Sequence, residues 1–292
     1  KFKISPCYKQ TVMNVVIIGV GLIGGSIAKS LSVIDKVKIK AFDMNKDSIN
    51  NALENSSIHG AIQSLEELQN KEFNNSIIII ATPPSAVVNV LKSISFLFNS
   101  SATITDTTST KNLLDEYLKE FNFPNNVIFS HPVAGSHLSG EINSISDLFH
   151  DKSVILSHHR SVSQLHLDKV TDLWNKLGSK VSVIDVKIHD EIFAYTSHLP
   201  HAVSYAVLRT LKELDQQNLS VFSGGGLGEF LRLASSSTQM WADVFSINKK
   251  NVVMAIDDLI ENLHLLKNDI ENNPKDLQLL LEELKIFKEE NY

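Results

Sequence analysis

Apolar residues follow two regimes along the chain, and the change comes near Val186. Before it, short apolar runs alternate with segments of helical spacing. Val12 to Ile18, Val37 to Phe42, Ile77 to Ala81, Ala102 to Thr105 and Val127 to Ser130 have the length and β-branched content of strands. Ile77 to Ala81, four isoleucines and an alanine, has no polar alternation at all, the pattern of a strand buried on both faces. Between these runs, Leu22 to Val33, Lys46 to Glu54, Ser85 to Leu97 and Lys111 to Phe121 carry helical spacing. Two further strands, Ser153 to Leu156 and Lys180 to Ile184, flank a helix from Val162 to Leu177. The alternation predicts an α/β, doubly wound, mostly parallel sheet of the Rossmann-like kind.

After Val186 the strands stop. Ile188 to Leu214 and Lys250 to Asp269 carry apolar residues at helical spacing, and Leu277, Leu280, Leu281, Leu284 and Phe287 form a stripe. Residues 1–186 therefore read as a nucleotide-binding domain and 187–292 as an all-helical domain. The helical apolar faces exceed what a bundle of this size needs, and symmetric homo-oligomers are the common outcome, so a homodimer through the helical domain is expected. Met13 is a plausible natural start, with residues 1–12 as a poorly ordered extension.

Composition narrows the class. With a net charge of -6, nucleic acid is a poor fit as main partner. No apolar run approaches the ~18 to 20 residues of a membrane helix, and Lys1 to Gln10 has no secretory apolar stretch. Cys7 is the single cysteine, so the chain holds no internal disulfide and no thiolate metal cluster. A cytoplasmic enzyme acting on a small molecule is the simplest reading.

Gly19-Val20-Gly21-Leu22-Ile23-Gly24 is G-x-G-x-x-G between a strand and a helix. Gly19 permits the tight turn, Gly21 lets backbone approach a pyrophosphate, and Gly24 allows close helix–strand packing. The helix N-terminus at Leu22 and Ile23 offers N–H groups to the anion. Asp43 ends the second strand 19 residues after Gly24, where a carboxylate accepts hydrogen bonds from ribose hydroxyls. Met44 and Asn45 follow it, with no cation for a 2′-phosphate, so NAD is favoured over NADP. Thr82 and Pro83, closing the strand beside the glycine loop, complete the expected cofactor contacts.

Four other segments carry chemistry. His131 ends an apolar run and enters a Pro/Gly/Ser-rich loop, where a strand-end histidine is placed for proton transfer. Asp106-Thr107-Thr108-Ser109-Thr110-Lys111 follows another strand. His189-Asp190 and Ser197-His198-Leu199-Pro200-His201 lie on the first long helix of the second half. Gly224 to Gly228, a loop between helices or a mobile segment closing over substrate, leads to Arg232 and Trp241. Arg232 is one of only three arginines and sits between Leu231 and Leu233, an apolar context more typical of a functional residue than of a solvated surface charge.

In combination these segments resemble the prephenate/arogenate dehydrogenase family of tyrosine biosynthesis. The matching residues are G-x-G-L-I-G-G-S at 19–26, D-x-x-S-x-K at 106–111, H-P-V-A-G-S at 131–136, S-H-L-P-H at 197–201 and R-x-A-x-S at 232–236, over roughly residues 13 to 290. The resemblance implies NAD-dependent oxidative decarboxylation, of prephenate to 4-hydroxyphenylpyruvate or of arogenate to tyrosine, as in prephenate or cyclohexadienyl dehydrogenases. A ring C–H gives hydride to NAD⁺, the adjacent hydroxyl loses its proton, and the ring carboxylate leaves as CO₂. It implies His131 as the base, titrating close to 7, and Ser109 as the hydroxyl that orients it. It further implies Arg232 as carboxylate anchor, with His201, His198 and Ser136 as substrate-side groups. One position departs from many relatives: His137 stands where they carry an acid, and Glu141 is the nearby carboxylate that could replace it.

No metal is expected, since His189, His198 and His201 lack a carboxylate–histidine pattern and hydride transfer needs none. Two rival functions share the fold. A dehydrogenase of β-hydroxyacids would use a lysine as general acid/base. A non-catalytic NAD-binding sensor would have no need of His131, Ser109, His201 and Arg232 together.

Overall fold

In the computed structural model of the chain, the described residues are 12–135, 138, 140–214 and 224–292. Among them, eight strands form one sheet: β1 (Met13–Ile18), β2 (Val37–Phe42), β3 (Gly60–Ala61), β4 (Ile77–Ile80), β5 (Thr103–Asp106), β6 (Val127–Pro132), β7 (Ser153–His158) and β8 (Lys180–Asp185). Their order is β3-β2-β1-β4-β5-β6-β7-β8. Every neighbouring pair is parallel except β6 and β7, which run antiparallel with His131 opposite Ile155.

The isoleucine run is buried on both faces, as its lack of alternation predicts. Val15, Ile17, Ile77 and Ile79 join one apolar cluster, whereas Val16, Ile18, Ile78 and Ile80 join another on the opposite face. The period-2 geometry of a strand divides them, and helices on each side cover both sets. These helices are α1 (Leu22–Ser32), α2 (Lys46–Glu54), α3 (Pro84–Ser93), α4 (Asn112–Leu118) and α5 (Gln164–Lys176). Strand order reverses between β1 and β4, so the loops leaving these two strands frame the crevice where such sheets hold ligands.

Beyond β8 the chain is helical: α6 (Val186–Phe193), a π-helical turn (Ala194–His198), α7 (Leu199–Glu213), α8 (Gly225–Leu231), α9 (Thr238–Ile247), α10 (Lys249–Asn272) and α11 (Pro274–Asn291). Asp185 caps α6 by accepting from the Lys187 N–H at 2.9 Å. The π turn precedes Pro200, which has no N–H for the Thr196 carbonyl and whose ring would collide with it in a regular helix.

The glycine-rich segment is a correction. Expected as a loop or mobile segment, Gly224 to Gly228 instead forms the N-cap and first turns of α8. Packing against α7 outweighs the poor helix propensity of its glycines. Strand β3 had no legible signal, because two residues paired with Lys40 and Ala41 are too few to show a period.

Candidate active site

The glycine loop is shaped by backbone crowding. Gly19 has φ +97, and a Cβ there would lie 2.7 Å from the Ala81 carbonyl oxygen. A Cβ on Gly24 would fall 1.9 Å from the Gly19 oxygen, so α1 can start this close to β1 only without a side chain. Gly21 differs: nothing lies within 4 Å of its Cβ direction. Open space therefore faces the start of α1, whose first turn has no side-chain cap and no acidic residue. Unsatisfied N–H groups and a positive dipole end remain there for an anion.

Asp43 ties β2 to this loop. One carboxylate oxygen accepts from the Val20 N–H at 2.6 Å and the other from the Asn45 N–H at 2.7 Å. Each oxygen keeps a lone pair, which suits a ribose diol. Across the crevice, the Thr82 hydroxyl is buried without a protein partner. The open face of Gly21, the bare helix end and this orphaned hydroxyl fit a dinucleotide.

The second half of the site is built from β5, β6 and α6. Lys111 is fully buried, and its ammonium donates to Asp106 Oδ2 (2.6 Å), the Thr108 carbonyl (2.7 Å) and the Ser130 carbonyl (2.7 Å). Burial pushes its pKa down against the opposing pull of Asp106. Ser130 is pinned further: its N–H donates to Asp106 Oδ1 at 3.2 Å, and its hydroxyl meets Thr105 Oγ1 and the Trp174 indole N–H. The residue before His131 is thus held from every side.

His131 retains 7% of its surface. Its Nδ1 lies 3.1 Å from His189 Nε2, and His189 Nδ1 lies 2.8 Å from Asp190 Oδ1. Ser109 was expected to orient His131; the partner of this nitrogen is His189, and Ser109 stands half-buried in the loop after β5. The expected titration is corrected too. Burial first, then the charges of His189, Lys111 and His198, push the His131 pKa well below 6.5 rather than leaving it near 7. The imidazole is therefore neutral at physiological pH.

Asp190 does more than hold His189. Its two oxygens accept from the Lys111 and Asn112 backbone N–H groups at 2.7 and 2.8 Å, the free N-terminus of α4. Burial raises the Asp190 pKa, but the His189 hydrogen bond and these N–H groups outweigh it, and the net shift is downward. Asn248, between α9 and α10, donates to the Asp190 carbonyl at 2.7 Å and to His198 Nδ1 at 3.1 Å. Because that nitrogen accepts, His198 carries its proton on Nε2, which is buried with no partner. Burial leads in lowering the His198 pKa to about 4, so it is a neutral donor awaiting an acceptor.

His201 donates from Nδ1 to the Ser197 carbonyl (2.9 Å) and stacks on Trp241 with ring centroids 3.6 Å apart. Its Nε2 is thereby left as an acceptor. Burial lowers its pKa, and the Arg232 charge acts in the same direction. Arg232 itself is exposed, not desolvated as its apolar neighbours suggested. Residues adjacent in sequence point to different faces of a helical turn, so half-buried Leu231 and Leu233 do not cover it. Glu141 is engaged elsewhere: it accepts from Asn55 Nδ2 (3.0 Å) and lies 3.6 Å from the Lys29 ammonium, against α1 and α2. Ser136 and His137 lie outside the described residues. Among the described residues, no group of three or more His, Cys, Asp or Glu is disposed to hold a metal.

A doubly wound sheet with this cradle, joined to a helical domain that brings histidines to the crevice, defines a dinucleotide-dependent oxidoreductase. Comparison with known proteins makes the class specific. The sequence model for "Prephenate dehydrogenase, nucleotide-binding domain" matches residues 27–183, and that for "Prephenate dehydrogenase, dimerization domain" matches residues 185–286. The chain belongs to the prephenate dehydrogenase family. It is 25% identical over 271 residues to a cyclohexadienyl dehydrogenase of Zymomonas mobilis, covering 91% of each chain. It is 27% identical over 255 residues to a prephenate dehydrogenase of Lactococcus lactis, covering 86% of this chain and 69% of that one. Among solved structures, prephenate dehydrogenase from Aquifex aeolicus, in complex with hydroxyphenyl propionate and NAD⁺, superposes with a TM-score of 0.87. It shares 32% identity, with 97% of this chain and 99% of that chain covered.

Proposed function

We propose that the protein catalyses the NAD-dependent oxidative decarboxylation of prephenate to 4-hydroxyphenylpyruvate, or of arogenate to tyrosine, in tyrosine biosynthesis. The observation that carries this reading is His131: buried, neutral, bonded at Nδ1 and without a partner at Nε2 among the described residues. Gly19, Gly21, Leu22, Ile23, Gly24, Asp43, Thr82 and Pro83 hold the dinucleotide. Bound NAD⁺ supplies the hydride acceptor.

His131 accepts the hydrogen bond of the substrate ring hydroxyl and takes its proton as the ring loses hydride and CO₂ and becomes aromatic. A base of depressed pKa holds a proton poorly in the free enzyme. It serves here because the hydroxyl becomes far more acidic as positive charge develops at its carbon. Ser109 contacts the same hydroxyl region. Arg232 pairs with a substrate carboxylate, and its exposure leaves it free to swing onto an entering anion. His201 Nε2 and the orphaned His198 Nε2–H supply an acceptor and a donor, and Ser136 is a further substrate contact.

The β-hydroxyacid reading needs a lysine free to exchange protons, and Lys111, the lysine of this loop, already spends its donors on fixed acceptors. A sensor would not explain a neutral histidine backed by a second histidine and a carboxylate. The helical domain presents Leu263, Leu279, Leu284 and Phe287 to solvent, each more than half exposed, which fits a homodimer. Among the described residues, no helix is long and apolar enough to cross a membrane, and we place the enzyme in the cytoplasm.

The deciding experiment mixes pure protein, NAD⁺ and either substrate and follows NADH absorbance. NADH is expected to form; none with either substrate overturns the assignment. His131→Asn is expected to lower the rate by roughly 10² to 10⁴, the usual span for removing a general base.

A further inference from the structure

Resting on that reading, we propose that Asp190 and His189 are positioning residues that fix the proton of His131 on Nδ1, so that Nε2 is the bare nitrogen facing the reaction. The argument runs from the carboxylate outward. Asp190 already accepts from two backbone N–H groups at 2.7 and 2.8 Å, and an ionised carboxylate can only accept. The third contact, His189 Nδ1 at 2.8 Å, must therefore be an N–H donor.

His189 is wholly buried, and burial holds its pKa below the ordinary value, so its ring carries one proton. With that proton on Nδ1, Nε2 is a lone pair. His131 Nδ1, 3.1 Å away, must then be the donor. The neutral His131 ring has its proton committed to this side, and Nε2 is left to accept.

The groups facing His131 are few and come from every element packed on it. Lys111 at the start of α4, His189 on α6 and His198 in the π turn act on it, with Asp106 at the end of β5 behind Lys111 and Asp190 behind His189. Lys111 and Asp106 form an ion pair with each other. Among the described residues, Asp190 is then the single carboxylate bonded into the histidine chain, and it dictates the direction of both hydrogen bonds.

Asp190 sits in the helical half of the chain but caps a helix of the nucleotide-binding half, 79 residues away in sequence. The same carboxylate thus docks the halves and orients the base. The proton of His131 is set only once α6 is seated against α4, which makes assembly of the two halves a condition for an active histidine.

Asp190→Ala tests this by removing the acceptor at the head of the chain. With the carboxylate gone, His189 Nδ1 has no acceptor, and its ring takes the Nε2–H form that a neutral imidazole favours in water. His189 then carries its proton on Nε2 and donates to His131, whose own proton moves to Nε2. A base in the wrong tautomer costs about 10⁴ in serine-protease triads, and a fall in kcat of roughly 10² to 10⁴ is expected here, with little change in dinucleotide affinity.

The tautomers are read directly by ¹⁵N–¹H correlation spectra of histidine-labelled protein at neutral pH, with His131→Asn assigning the signal. In the unsubstituted protein, His131 and His189 should both show protonated Nδ1, and in Asp190→Ala both should show protonated Nε2. A wild-type His131 protonated on Nε2 overturns the proposal. So does a folded Asp190→Ala protein that keeps its kcat, or one that loses it while the His131 tautomer stays unchanged. Should that variant fail to fold, the wild-type spectrum decides alone. The spectrum needs no substrate, so it stands even if neither prephenate nor arogenate is turned over.

Discussion

At the scale of single residues, the difference between what the sequence suggests and what the fold does is clearest at His131. Its position at the end of an apolar run was legible. Its acidity was not, because that depends on neighbours from distant parts of the chain: His189 lies 58 residues away, and His198 is further still. His189 and Asp190 stood out as a pair without a role, and Asn248 carried no signal at all. The shift leads to a prediction about pH. A pKa held well below 6.5 keeps His131 neutral as the solution becomes mildly acidic, and protonation removes the Nε2 lone pair only at lower pH. The acid limb of kcat/KM, which reports the free enzyme, should therefore lie below 6.5. A limb centred at or above the ordinary histidine value would show that burial does not govern this group.

At the scale of elements, legibility followed burial. The isoleucine strand was readable because both faces are covered and no polar residue interrupts it. The antiparallel direction of β7 was not, since a short apolar run reads the same either way. Helix α8 was hidden by glycines that cost ~1 kcal/mol each in a helix interior. The glycine loop offers a paired test, because its glycines serve different ends. Gly24→Ala puts a Cβ 1.9 Å from the Gly19 carbonyl, backbone against backbone, and should destabilise the fold by about 1–3 kcal/mol or more. Gly21→Ala meets no protein atom within 4 Å, so its melting temperature should match that of the unsubstituted protein. Its Cβ instead enters the open space proposed for the pyrophosphate, and a loss of one contact there, worth about 1.4 kcal/mol, is a tenfold weaker NAD affinity. Thermal melts and calorimetric titration with NAD⁺ separate the two. Equal melting temperatures for both variants, or unchanged NAD affinity in Gly21→Ala, would mean the cradle is misplaced.

At the scale of the whole molecule, hydrogen bonds join the two halves at the His131–His189 contact and at two further points. Asp190 caps α4, and Ser85, one residue into α3, donates to Asp243 on α9 at 2.6 Å. Farther along the chain, α10 and α11 pack on each other. Along that seam Leu277 and Leu280 are half-buried, whereas Leu279 and Phe287 remain 65% and 55% exposed. A row of this kind, continued on α10 by Ile260, Leu263 and Ile270, is more apolar surface than an isolated chain leaves in water without a partner. A second copy using the same face in two-fold symmetry covers both rows at once, since such an interface pairs each patch with itself. The protein should therefore sediment at twice its chain mass. Leu279→Lys with Phe287→Lys places charges in the middle of that contact and should yield monomers. Neither residue touches the cradle or the histidine chain, so the substituted monomer should still bind NAD⁺. A wild-type protein that sediments as a monomer would remove the dimer from the proposal.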